Sequence, residues 1–295
     1  MPLRSLLLLT AICLVWACNT VVSRLVVGGL GVPPLCYAAL RSLVVLVALL
    51  PWLRPVPSRL WQVLLVTFAI SGGSFALFFV GLRDATPSTA AVVSLSGAPL
   101  TVLFAIVILG ERIRWRRALG IALTFAGVGV AVASPSAWSS SFGLVFVFLS
   151  SLLGALGAVF LKRIELRSLS LQAWAALASV AVLVPLSLAL ESGQVASVAA
   201  GGWRFVAALA FSGGVVSLGA HTLYFGLLQR YDANLVAPLT LMTPIFTIAL
   251  GAWITDDSVG QLLLLGAALA AAGVLVILVR PSALVFKPLL VRPRL

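Results

Sequence analysis

The sequence predicts an all-α integral membrane protein of ten transmembrane helices, arranged as two inverted five-helix repeats with both termini cytoplasmic. Three observations predict it. The chain of 295 residues is 62% hydrophobic and only 9% charged, against about 25% charged residues in soluble domains. Apolar runs of spanning length follow one another with short connections, giving a mean hydropathy of +1.21. The second half of the chain also repeats the first in register.

A hydrocarbon core of roughly 30 Å needs about 20 apolar residues per helix. Runs of that size cover roughly residues 4–27, 34–53, 59–82, 87–109, 116–134, 142–162, 170–190, 203–228, 233–255 and 260–280. They carry Gly and Pro inside, as membrane helices do, and lack the alternation of outer-membrane strands. The first run, "RSLLLLTAICLVWAC", has the basic start of a signal peptide. Trp16, however, stands where a cleavage site wants small residues, and the run continues through "NTVVSRLVV", so it reads as an uncleaved span. Cys13, Cys18 and Cys36 are odd in number and lie in or beside apolar segments, so neither a disulfide framework nor a metal site is expected, and no cofactor.

The net charge of +12 would suggest nucleic acid in a soluble protein, but here its distribution decides. With the N-terminus in the cytoplasm, the inner side receives Arg4, Arg54, Arg59, Arg112, Arg114, Arg116, Arg117, Lys162, Arg163, Arg167, Arg230, Arg280, Lys287, Arg292 and Arg294. The outer side receives Arg24, Arg83 and Arg204, and Arg41 lies inside the second span. Fifteen cations against three give a strong positive-inside bias. Topology and anionic lipid thus account for the charge, and the bilayer is the expected partner, with no nucleic acid.

At an offset of 145, Gly81-Leu82 falls on Gly226-Leu227, Phe79 on Tyr224, Pro99 on Pro244 and Glu111 on Asp256; at 137, "YAALRS" (37–42) falls on "WAALAS" (174–179). Five spans per half force the second half to cross in the opposite sense, which makes an inverted repeat. The halves are 1–134 and 142–280, with 281–295 a flexible cytoplasmic tail. "WACNTVVSR", "YAALRS", "LSGAPLTVLFAIVILGERIRWRRALGIALTFAGVGV" and "LTLMTPIFTIALGAWITDD" make the chain resemble the EamA-type exporters of the drug/metabolite transporter superfamily, in particular their bacterial aromatic amino-acid exporter branch. That resemblance, over residues 1–280, implies an inner-membrane exporter with its substrate site between the halves. Asp256-Asp257 replaces the Gly110-Glu111 pattern in the second half, so the hinge keeps its acid and loses its glycine.

Proline lacks an amide hydrogen, so Pro99 leaves the carbonyl of Leu95 without its helical partner and Pro244 that of Thr240. Such carbonyls are tolerated in a membrane only against protein or a wet cavity. Pro99 and Pro244 are therefore expected as hinges, with Leu95 and Thr240 facing the site. In the eighth span Ser217, His221 and Tyr224 share one helical face. Trp16, Asn19, Thr20 and Ser23 form a stripe in the first span, and Ser71, Ser74 and Phe78, flanked by Phe75 and Phe79, form one in the third. Polar stripes in a membrane face protein or water. Trp16, Asn19, Ser74, Phe78, Phe79, Leu95, Ser217, His221, Tyr224 and Thr240 are accordingly the candidate substrate-binding residues, suited to a zwitterion or small apolar metabolite. Ordinary helix packing is the competing reading for each aromatic alone. Arg41 is either a structural tie to carbonyls or an anchor for a substrate carboxylate, and the uncharged twin position Ala178 favours the tie. Glu111 and Asp256 are open to gate salt bridges or simple solvation.

The chain has one histidine and no acid well inside a span, so the usual catalytic pairings are missing and it is not expected to be an enzyme. A non-transporting membrane scaffold is the alternative of a different class, although a duplicated, proline-interrupted interior is unneeded for that role. The same lack of buried carboxylates favours facilitated export of aromatic and neutral amino acids by alternating access, with proton coupling through His221 the alternative. A monomer is expected, and nucleotide sugars or lipid-linked amines are alternative cargoes.

Overall fold

The computed structural model describes residues 2–110, 115–138, 141–161, 163–231, 236 and 238–278, and every regular element among them is helical. Helices α1 (Leu3–Gly29), α2 (Pro34–Leu53), α3 (Leu60–Gly81), α4 (Pro87–Leu109), α5 (Trp115–Val132), α6 (Phe142–Leu161), α7 (Ser168–Leu190) and α8 (Gln194–Tyr224) are each long and apolar enough to cross a membrane. So is α10 (Gln261–Leu278), while α9 (Met242–Ile254) is a shorter apolar helix. Glu111, Arg112, Arg114, Lys162, Arg280 and the tail 281–295, to which gating, orientation or flexibility was assigned above, lie outside the described residues.

Two of the sequence-derived spans need correction. The eighth was expected to begin at residue 203, but the helix begins at Gln194 and is broken at Gly202, whose φ of 50° only glycine adopts easily. The apolar run starts after that break, which is why hydropathy alone placed the start there. The ninth was expected as one helix over 233–255; Val236, Pro238 and Leu239 are helical, a turn at residues 240–241 interrupts, and the helix resumes as Met242–Ile254.

Proline explains the fourth and ninth spans, though not as a kink within a continuous helix. In α4 one helical segment ends at Ser94 and another starts at Gly97, with Pro99 in its first turn. Pro244 holds the same place after Met242. A first-turn residue has no intrahelical amide partner, so proline costs nothing there. The carbonyls expected to be free are occupied: Ala98 N donates to Leu95 O at 3.4 Å and Thr243 N to Thr240 O at 2.9 Å. Both halves thus solve the backbone problem with the same tight, three-residue hydrogen bond.

Many of the helix contacts recur when each helix is exchanged for the one five places along. α3 packs on α6 and α8 on α1; α4 on α6 and α9 on α1; α3 on α7 and α8 on α2. The counterparts α2 and α7, α4 and α9, and α5 and α10 pack on each other. Contacts fix the direction of these pairs. A Cβ on Gly120 would lie 2.8 Å from the Gly273 carbonyl oxygen, and one on Gly127 2.7 Å from that of Gly266. Rising numbers on α5 therefore meet falling numbers on α10, and the two run antiparallel, backbone against backbone, as small residues permit in a bilayer. The end of α7 meets the start of α2, where Glu191 accepts from Leu35 N (2.8 Å) and Cys36 N (2.9 Å). Just past α9, Asp257 accepts from Ser88 N (2.9 Å) and Ser88 Oγ (2.5 Å) at the start of α4. Each carboxylate satisfies orphan amides and suits the positive end of the helix it caps.

Candidate functional site

The site begins with irregular backbone. Ala69–Gly73 in α3 and Phe211–Ala220 in α8 are π-helical, and they contain Ser71-Gly72-Gly73 and Ser212-Gly213-Gly214, the same tripeptide at the same stage of each half. A π turn brings a side chain over the carbonyl five residues back. Ser217 Oγ accordingly donates to Ser212 O at 2.8 Å, and His221 Nδ1 lies 2.8 Å from Val216 O. A carbonyl can only accept, so Nδ1 carries a proton, and the ring when neutral presents Nε2 as an acceptor. The wound-out turns aim the polar stripe of α8 inward.

Two cavities flank that stripe. The larger, about 540 Å³, lies among α1, α3, α4, α6, α8 and α9, with Trp16, Asn19, Ser74, Phe78, Leu95 and Pro244 on its wall. The smaller, about 180 Å³, lies among α2, α3, α7 and α8 and has Ser71, Gln172 and Ser217 on its wall. Arg41, Phe75 and His221 line both, so these three side chains form the partition between them. The larger cavity falls within the roughly 300–1,000 Å³ usual for small-molecule sites.

Of the sequence-derived candidates, Trp16, Asn19, Ser74, Phe78, Leu95 and His221 stand on the larger cavity and Ser217 on the smaller. Three do not line either. Phe79 is 0% exposed and packs its ring 4.8 Å from that of Tyr37, since its position faces α2 rather than the cavity. Tyr224 stands behind Trp16, ring centroids 5.0 Å apart, and supports the wall without being part of it. Thr240 lies in the turn before α9, its carbonyl bonded as described. Pro99 is buried in protein while Pro244 reaches the cavity, so the paired prolines occupy unequal surroundings. The expected tie of Arg41 to carbonyls is not seen: its Nε donates to Ser217 Oγ at 3.0 Å, and its guanidinium lies 4.0 Å over the Phe75 ring.

Sequence reasoning missed the partition role of Phe75 and the caps Glu191 and Asp257. The repeated Ser-Gly-Gly signalled the first. For the caps, Asp256 was aligned with Glu111, whereas Asp257 makes the bonds and Asp256 takes a positive φ of 51°. Among the described residues no cluster of three His, Cys, Asp or Glu could hold a metal ion.

Comparison with known proteins agrees with this architecture. Residues 3–133 and again 141–279 match the family described as the EamA-like transporter family. A probable amino-acid metabolite efflux pump of Escherichia coli (strain K12) is 29% identical over 271 residues, covering 88% of this chain and 89% of that protein. A protein of the same description from Salmonella typhimurium (strain LT2) is 28% identical over 269 residues, covering 88% and 89%. One solved crystal structure superposes with a TM-score of 0.62 at 22% identity, over 93% of this chain and 97% of that one, a likeness of fold. With nine described helices able to span and both halves matched, the chain is a multi-pass protein of the bacterial inner membrane and belongs to the EamA-like transporter family.

Proposed function

We propose that the protein exports amino acids and related metabolites, aromatic and neutral ones among them, by alternating access of two inverted five-helix halves around the larger cavity. The observation that carries this reading is the cavity itself. It is walled by helices of both halves, which pack as exchanged counterparts and run antiparallel where α5 meets α10. The similarity to two amino-acid metabolite efflux pumps supports the cargo class. Trp16 and Phe78 offer apolar faces, and Asn19, Ser74 and Thr101 offer hydroxyl and amide groups. Pro99 and Pro244 sit where each half already breaks its helix, which suits hinges. Both termini are cytoplasmic in this reading, on the charge bias of the sequence.

Transport is facilitated, running down the metabolite gradient, because the chain places no acid inside a span to bind a coupling ion. The deciding experiment is counterflow of radiolabelled amino acids in proteoliposomes, with a purine and a sugar as controls. Exchange of neutral and aromatic amino acids, with none of the controls, is the expected result; failure of every amino acid to exchange overturns the cargo. Accumulation against a gradient when only a pH difference is imposed overturns the facilitated mechanism and assigns coupling to His221.

A further inference from the structure

We infer that Arg41 is the carboxylate-binding residue of this site, so that cargo is selected for a carboxylate and passes the partition between the two cavities through that contact. The inference deepens the transport reading and rests on it.

Four observations on one side chain support it. Arg41 is 4% exposed, on a helix of a membrane-spanning bundle, where a cation without a counter-charge is costly. The chain's seven acids stand at 84, 111, 165, 191, 232, 256 and 257, all at the ends of spans. The two that cap helices are engaged with Leu35, Cys36 and Ser88 instead. No protein carboxylate is placed to neutralise Arg41 among the described residues. Its Nη1 is buried without a hydrogen-bond partner, although a guanidinium has five donors to satisfy. Finally, the residue lines both cavities.

The rest of the guanidinium is held still. Ser217 Oγ gives its hydrogen to Ser212 O (2.8 Å) and its lone pair to Arg41 Nε (3.0 Å). Ser212 Oγ in turn lies 2.5 Å from Tyr37 OH, one helical turn before Arg41 on α2. Phe75 fixes the plane from beneath. A planar fork fixed at Nε and on one face, with a terminal nitrogen left over, is arranged to receive a carboxylate. The complementary group is in the larger cavity: Asn19 Oδ1 is buried and unpartnered, an acceptor for the ammonium of a zwitterion. A purely structural arginine would have its donors on backbone carbonyls, and this one does not.

The test is competition counterflow in proteoliposomes of the full-length protein. A labelled neutral amino acid is competed by itself, its carboxamide, its decarboxylated amine and its 2-oxo acid. In the wild type the carboxamide and the amine are expected to compete at least ten-fold more weakly than the amino acid, while the 2-oxo acid, which keeps the carboxylate and loses only the Asn19 contact, competes more strongly than either. In Arg41→Gln that discrimination disappears, and Arg41→Lys retains part of it. Ser217→Ala, which frees the guanidinium without removing it, is expected to narrow the gap if Arg41→Gln fails to assemble; size-exclusion elution in detergent monitors assembly. Equal competition by carboxamide and amino acid in the wild type overturns the inference and leaves the exporter standing. Discrimination that survives Arg41→Gln likewise removes Arg41 from the role. If labelled amino acids do not exchange but a labelled 2-oxo acid does, the amino-acid cargo falls and the carboxylate site stands; if only a sugar or purine exchanges, both fall.

Discussion

Replacing Gly127 by alanine tests the seam between α5 and α10. The added Cβ would lie 2.7 Å from Gly266 O and closer still to Ala270 N, whereas ordinary contact begins at 3.4 Å, so backbone must yield by more than about 0.7 Å. Nothing soft is available to move, because the nearest atoms are backbone atoms of Gly266 and Ala270. Overpacking of this kind costs about 1–3 kcal/mol. Gly129, two residues on in the same helix, has nothing within 4 Å of its would-be Cβ. Gly129→Ala therefore shares only the helix-propensity gain of about 1 kcal/mol, which cancels in the comparison. Gly127→Ala is expected to unfold about 1–3 kcal/mol more easily than Gly129→Ala, roughly a 5- to 150-fold change in the ratio of folded to unfolded protein. Titration with SDS in mixed micelles, followed by Trp fluorescence, measures it. Indistinguishable midpoints for the two variants would refute the backbone contact, and with it the argument for antiparallel counterparts.

Trp16→Ala is expected to lower counterflow at least ten-fold with an unfolding midpoint near wild type; Tyr224→Ala, one layer behind, should lower it less, and the opposite order would exchange their roles. Asp257→Ala strips Ser88 of two hydrogen bonds and should destabilise the fold by about 1–3 kcal/mol, whereas Asp256→Asn, which keeps a side chain suited to the positive φ there, should change it by less than about 0.5 kcal/mol; equal SDS midpoints would deny the capping role. Pro99→Ala with Pro244→Ala restores two amides that can close continuous helix across the breaks. Slower exchange at unchanged stability is expected, and unaltered exchange would remove the hinges.

Much of the fold was legible because the membrane leaves few choices. Hydropathy located the helices, as α2 and α4 illustrate by beginning and ending at the residues expected. It misplaced the start of α8 because the amphipathic lead from Gln194 to Gly201 precedes the continuous apolar run, which begins only after the break at Gly202. The stripe of His221 and Ser217 was readable from helical spacing. Phe79 was not separable from Phe78 and Phe75, since three aromatics within five residues cover most of a helix surface and only the neighbour, here Tyr37, decides which is interior. Arg41 was seen as an oddity, but its spare nitrogen depends on Ser217 being turned toward it, and that depends on a π turn that spacing at 3.6 residues cannot reveal.

Those wound-out turns also bear on how the protein tolerates changes of length. A π turn stores one surplus residue, so losing a residue from Phe211–Ala220 would let α8 close into ordinary thread rather than tear. Everything beyond would keep its facing, with His221 at the partition and Tyr224 behind Trp16, where the same loss from a regular α-helix would rotate it by about 100°. In most buried helices a deletion is a matter of survival; in this one the surplus residue takes it up, and α3 holds the matching slack.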